Sequence, residues 1–437
     1  MARTKVITMI RYQNVNKELF VNNRKSLYKI AGKDGVYIFM SSRLTVRNGD
    51  QYYPFRQNSD TFYFSGLDQE NIILLLYPNC PNENMREIAF ILEADKETLI
   101  WQGHKYTSDE VKELSGISTV MPLGEFETVF VKITEYCQKV FMPFSFNERV
   151  NTDIRNPILD LQIKLKELKS GIIFQDITDK ISTLRIKKSK TEIDIISKAC
   201  SITREAFISV LNGLKPDMFE YQIEAIITHD FIGNGASGYA YAPIVASGKN
   251  ACVLHYSTNH DICKDGDLLL LDFGAEYANY AADCSRTIPV NGKFSKRQLQ
   301  VYNAVLSVFS EMKKHFVPGN TINGINELTN SLIEEQLLKL NLISKEDIIN
   351  QDVKNPVCKT YFPHGTSHFM GLDVHDVGGK DVAFESGMVL TCEPGIYIPE
   401  ENLGVRIEND IVVAEAPIDL MKNIPVEPNE IEEIMNT

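Results

Sequence analysis

The chain has no apolar run approaching the ~18 residues that a membrane-crossing helix needs, so no such span is expected. It also lacks a surplus of positive charge: 45 Lys and Arg stand against 58 Asp and Glu, for a net charge of −13. A protein that grips phosphate backbones needs the opposite balance, so no nucleic-acid partner is expected. None of the eight cysteines form a CxxC pair, which speaks against a thiolate metal site. Several lie in apolar strand-like runs, such as Cys392 in MVLTCEPG, as reduced buried thiols in a cytoplasmic protein would. The start, MARTKVITMIRYQNVNKELF, is basic but has no h-region or small-residue cleavage site, so a secretory signal is not expected. A mitochondrial presequence is the rival reading. Acidic residues arrive by Glu18, however, and RYQNVNKELFVNNRKSLYKIA reads as a first folded helix.

What remains is a globular composition over 437 residues, too long for one ordinary core. Residues 1–182 alternate strand-like and helix-like runs (GVYIFM, IILLLYP, EIAFILEA, EVKELSG, FETVFVKITEYCQKVFM), which predicts an α/β domain. It holds the single tryptophan, Trp101, and no cluster of ionisable residues that looks catalytic. A charged KKSK stretch follows, with Ser189 or Thr191 placed to cap a helix carrying Ile193, Ile195, Ile196, Ala199 and Ile202 at helical spacing. Residues 183–437 read as a rough duplication: a helical stretch (about 191–233) before one hairpin, another (about 295–340) before a second.

Each hairpin carries two acids. In DLLLLDFGAEYANYAADCSRTIPV, Asp272 and Asp283 flank a midpoint between Tyr277 and Ala278. In MVLTCEPGIYIPEENLGVRIENDIVV, Glu393 and Glu408 flank a midpoint inside PEEN. Symmetric folding sets each acid opposite its partner, where like charges destabilise a sheet. Arg286 and Arg406 are the available counter-charges, and two arginines do not balance four acids. A cation between the carboxylates resolves the conflict, and four of them suit more than one ion. Pro394 and Gly395 after Glu393 mark a kink that re-aims that side chain.

PHGTSHFMGLDVHDVGG adds His364, His368 and His375, and ACVLHYST adds His255, read as lying on a strand. His364 and His368 have the i, i+4 spacing of zinc helices, but Gly365, Thr366 and Ser367 make a poor helix and no Glu follows His364. One histidine on a loop or strand joining four carboxylates gives a hard donor set, suited to Mn²⁺, Co²⁺ or Zn²⁺.

These motifs, with YPFRQNSDTFYFSGL near the start, resemble the pita-bread metallopeptidases and, within them, the aminopeptidase P group. The resemblance covers most of the chain. It implies an α/β N-terminal domain followed by a pita-bread catalytic domain, a duplicated αβ unit with a pseudo-twofold axis. It implies two divalent ions, Mn²⁺ first, with Co²⁺ or Zn²⁺ as alternatives. Asp272 then holds one ion, Asp283 and Glu408 bridge both, and His368 and Glu393 complete the other. A hydroxide between the ions is the implied nucleophile and Glu393 its general base. By the same resemblance His364 hydrogen-bonds the reacting peptide group, His255 and His375 line the substrate site, Arg406 steadies a bridging carboxylate, and Tyr397 supports the site. The implied reaction removes an N-terminal residue from peptides with proline second; a prolidase restricted to dipeptides is the alternative. A homodimer or homotetramer is also implied, with Trp101 reaching toward a neighbour's site.

Overall fold

The computed structural model describes residues 11–144, 157–352 and 355–437. The chain divides into two compact units, Met1–Arg185 and Ile186–Thr437.

In the first unit six strands lie in the order Thr119–Pro122, Glu87–Ile91, Ile73–Leu76, Val36–Met40, Lys139–Met142 and Ile173–Asp176. Three pairings are parallel: Glu87–Ile91 with Thr119–Pro122, Val36–Met40 with Lys139–Met142, and Lys139–Met142 with Ile173–Asp176. The strand Ile73–Leu76 pairs antiparallel with both its neighbours. The central strands are apolar at successive positions because helices cover both faces, which removes the alternation of a half-exposed strand. Phe90, Phe126, Phe130, Ile133 and Leu165 pack one side of this core. The run FETVFVKITEYCQKVFM splits into the helix Phe126–Ile133 and the strand Lys139–Met142.

The second unit opens on the helix Lys190–Gly213. Ser189 is its cap: the hydroxyl accepts from the Glu192 amide, and the Glu192 carboxylate accepts from the Ser189 amide. The helical stretch continues as Glu220–Gly233 after a break at Lys215-Pro216-Asp217, where Asp217 has φ +70°. A second pair, Lys296–Met312 and Ile322–Lys339, precedes the later strands. The α/β class and the duplicated helix-then-hairpin order are therefore as the sequence predicts.

Hairpin register decides where the acids fall. Strands Leu268–Asp272 and Ser285–Pro289 pair antiparallel with Asp272 opposite Ser285, not Asp283. The same register continues through Tyr277 and Tyr280 to a tip at Ala278 and Asn279, with φ +49° and +64°. Two successive left-handed residues make the tight turn whose twist suits a hairpin. Nothing in the Ala-Asn pair announces it as Asn-Gly would, so the expected midpoint lies one residue early. Asp272 and Asp283 are thus diagonal, two positions apart, and still on one face because the offset is even. The second hairpin holds the expected register. Val389–Cys392 pairs with Asn409–Val412 and Gly395–Ile398 with Leu403–Arg406, in one continuous count that sets Glu393 against Glu408. Both glutamates occupy the gap between the two ladders. Their amides bond outward instead, Glu393 to the Thr366 carbonyl (2.9 Å) and Glu408 to the Ser285 carbonyl (3.1 Å).

Candidate metal centre

The second unit encloses a cavity of about 400 Å³. Asp272, Asp283, Glu393, Glu408, His255, His364, His368, His375 and Arg406 all line it, with Tyr241, Ile244, Leu254, Ser257 and Val374. Tyr397 stands behind the wall, buried.

The histidines arrive on a non-helical segment. The Thr391 amide bonds to the His368 carbonyl, and the Met370 amide to that of Val389, so residues 366–370 run alongside 389–393 through an isolated antiparallel bridge, Phe369 with Leu390. This sets His368 Nε2 at 3.3 Å from Asp283 Oδ2 and 3.6 Å from Glu393 Oε1. His375 lies against it, ring centres 4.3 Å apart and edge-on. His255 sits in an exposed turn after the short helix Gly248–Cys252, not on the strand expected for ACVLHYST. Successive apolar residues there reflect packing against the neighbouring hairpin rather than a ladder.

Asp283, His368 and Glu408 each offer a ligand atom, and these atoms lie within 4.8 Å of one another. Burial, opposed in part by Arg406, pushes the Asp272 carboxyl up. Burial and the neighbouring carboxylates push Glu408 well above its ordinary range and Glu393 up to about 7. The imidazole of His368 is pulled down by burial, but its bond to Asp283 and the charge of Glu393 carry it to about 9. His364 goes the other way, to about 3, through burial and the nearby Arg406 charge. It is therefore neutral: Nδ1 donates to the Gly365 carbonyl (2.7 Å), and Nε2 accepts from the Tyr397 hydroxyl (2.7 Å).

Arg406 is the one guanidinium that reaches an acid of the cavity among the described residues. It donates to Asp272 (2.6 Å), Tyr397 (2.9 Å) and Ser285 (2.7 Å). The plain Arg406–Glu408 pair is not formed; Ser285 relays between them, its hydroxyl donating to Glu408 (2.7 Å). Arg286 takes no part in neutralising Asp272 or Asp283. Its guanidinium is spent on the carbonyls of Pro425, Ser285 and Glu408 and on Asn409.

Three further participants lie outside the set read from the sequence. The Tyr241 hydroxyl points at both Asp272 (2.6 Å) and Asp283 (2.5 Å). Ser285 relays as described. Asp410, fully buried, accepts from the Asp283 amide (3.1 Å) and the Cys200 thiol (3.4 Å). Only the adjacency of Asp410 to the second acid pair hinted at it, and Tyr241 lies 31 residues before its first partner.

The donor chemistry fits divalent cations. One hydroxyl hydrogen on Tyr241 cannot satisfy two carboxylates at once. Four acids face one guanidinium and one imidazole, so negative charge is left over in a desolvated cage. Oxygen donors with a single nitrogen suit hard or borderline ions. The fold and site thus define the class, a carboxylate-caged metal-binding α/β protein.

Comparison with known proteins narrows this. Residues 194–415 match the model of metallopeptidase family M24, and residues 20–141 match the aminopeptidase P N-terminal domain. The chain is 31% identical to the Xaa-Pro aminopeptidase of Escherichia coli (strain K12), over 96% of this chain and 98% of that protein. The structure of Pseudomonas aeruginosa aminopeptidase PepP superposes with a TM-score of 0.88 at 29% identity, covering 97% and 98% of the two chains. Escherichia coli aminopeptidase P with the inhibitor Pro-Leu gives 0.86 at 29%, covering 97% and 99%. The chain belongs to metallopeptidase family M24, as a hydrolase of the aminopeptidase P type with a pita-bread second domain.

Proposed function

We infer that this chain is an Xaa-Pro aminopeptidase, releasing the first residue of peptides whose second residue is proline. The observation that carries the reading is the carboxylate cage opening on one cavity, in a chain matched over 96% of its length by an Xaa-Pro aminopeptidase. We assign catalysis to the second domain, residues 183–437, following the N-terminal domain 1–182.

Asp272, Asp283, His368, Glu393 and Glu408 are the proposed holders of two divalent ions, Mn²⁺ foremost, with Co²⁺ and Zn²⁺ suited to the same donors. When bound, such ions polarise a carbonyl and activate water at neutral pH. The protein groups divide the remaining work. Glu393 is placed to take a proton from water in the cavity. Neutral His364, held by Gly365 and Tyr397, presents its ring to the reacting peptide group without adding charge. His375, edge-on to His368, faces the carbonyl to be cleaved, and His255 flanks the proline ring. Arg406 orients Asp272 directly and Glu408 through Ser285.

An Xaa-Pro bond is a tertiary amide without an N–H, and the pyrrolidine ring fixes the chain direction. A wall of imidazoles beside Ile244 and Leu254 accepts such a ring, while the excess of acids attracts the free amine of the first residue. The deciding experiment is a panel of Xaa-Pro, Xaa-Pro-Yaa and longer peptides assayed with Mn²⁺, Co²⁺ and Zn²⁺. Turnover of tripeptides and longer chains is expected. Activity confined to dipeptides makes the protein a prolidase instead.

A cytoplasmic location is proposed from the reduced, scattered cysteines; among the described residues no helix is long and apolar enough to cross a membrane. Self-association as a homodimer or homotetramer is proposed from the helix Lys96–Gln102, none of whose residues is buried. Ile100 and Trp101 are each 79% exposed on it.

A further inference from the structure

We propose that Glu220, which does not line the cavity, is the positioning residue that sets substrate affinity by holding the His255 wall in shape. The inference rests on the peptidase reading above, since it takes His255, Leu254 and Ser257 to contact the peptide.

Glu220 is fully buried at the first turn of the helix Glu220–Gly233. One carboxylate oxygen accepts from the Ser247 amide (2.7 Å), the Ser247 hydroxyl (2.8 Å) and the Asn250 side chain (3.2 Å). The other accepts from the Tyr256 hydroxyl (2.7 Å) and the Asp261 amide (2.9 Å). The donors come from the start, middle and end of the segment 247–261. After Ser247, the last residue of the strand Ile244–Ser247, the segment forms no strand, only the short helix Gly248–Cys252, and Val253, His255 and Ser257 are exposed on it. One turn along the helix, Glu224 accepts from Asn259, which also donates to the Pro243 carbonyl (3.0 Å). The loop therefore takes its shape from a helix behind it.

Only a carboxylate meets this donor set. A glutamine must turn its NH₂ toward either the Ser247 amide or the Asp261 amide, and neither backbone donor can rotate away. The isosteric Glu220→Gln change thus breaks the clamp while keeping the volume, and it alters the identity of no cavity residue. A loop loosened by one such conflict changes binding more than chemistry, because the carboxylate cage lies on other segments.

The test compares the wild type with Glu220→Gln and Tyr256→Phe, all metal-loaded, on an Xaa-Pro-Yaa peptide, with amide hydrogen exchange read in parallel. In Glu220→Gln, KM is expected to rise about tenfold with kcat kept within about threefold. Exchange is expected to speed up in 253–261 while Leu268–Asp272 stays protected. Tyr256→Phe removes one of the five bonds to the Glu220 carboxylate, retains the ring's packing, and is expected to give a smaller change of the same kind. It carries the test alone if Glu220→Gln does not fold. Unchanged KM in a variant whose loop exchanges faster overturns the proposal, as does a loop whose exchange does not change. A wild type that cleaves no Xaa-Pro peptide overturns the peptidase reading instead, while the exchange result still reports on the clamp.

Discussion

Tyr241 carries one hydrogen between two carboxylates, Asp272 and Asp283, and its buried phenol is pushed well above its usual range by desolvation and by those charges. It stays protonated, and so donates a hydrogen bond into the cage while leaving the cage's net charge unchanged. Tyr241→Phe is expected to weaken metal binding about 10- to 100-fold, measured by competition with a chelator, and to lower the stability of the metal-loaded protein by the corresponding ~1–3 kcal/mol at fixed metal concentration. Asp283→Asn removes a charge at the centre of the cage. Peptidase activity is expected to fall at least about a thousandfold, with the far-ultraviolet circular dichroism unchanged; turnover near that of the wild type refutes the assignment. At this scale the sequence shows the acids and histidines plainly, since charge in an apolar strand is conspicuous. Tyr241, Ser285 and Asp410 are invisible there because ordinary polar residues acquire meaning only from neighbours distant in sequence. Arg286 misleads for the same reason: its charge is consumed by carbonyls that only folding brings near.

At the level of elements, parity survives where register does not. The expected hairpin centre lies one residue early, yet Asp272 and Asp283 still share a face because the shift moves the pairing by two. The position facing Asp283 in this register is Gly274, and a Cβ there would run into the Ala282 carbonyl. The close approach lets the Asp283 strand lie flat over its partner. Gly274→Ala is expected to cost about 1–3 kcal/mol of stability and to lower bound metal per chain, checked by thermal denaturation and elemental analysis. Helix starts are more legible than turns. The Ser189–Glu192 box has a sequence pattern, whereas the Ala278–Asn279 tip adopts its two left-handed conformations without glycine.

For the whole molecule, the raised carboxyls imply a definite pH response. Glu393 at about 7 and His368 at about 9 both hold protons more tightly folded than unfolded. Each therefore stabilises the metal-free fold at low pH, and that contribution is lost as pH rises through its folded value. The depressed His364 acts with the opposite sign below about 6.5, so chelated protein is expected to lose thermal stability chiefly from pH 7 to pH 9, and added Mn²⁺ to restore it most at the upper end. A flat profile without metal contradicts the charge excess. Metal binding is expected to release protons near neutrality, read by calorimetry in buffers of different ionisation enthalpy. Light scattering checks the proposed self-association, and a monomer at micromolar concentration rules it out.

The gap between the two ladders at Glu393 and Glu408 bears on how the protein is made. The amides of both residues are tied to segments laid down earlier, at Thr366 and Ser285. On a ribosome the first domain can fold while these glutamates are still unsynthesised. A nascent chain shorter than 408 residues has the earlier acids and histidines but an open cage. On the proposed ligand set, hydrolytic capacity is expected only once the last hairpin has emerged, and a chain truncated before Glu408 is expected to leave Xaa-Pro peptides uncleaved.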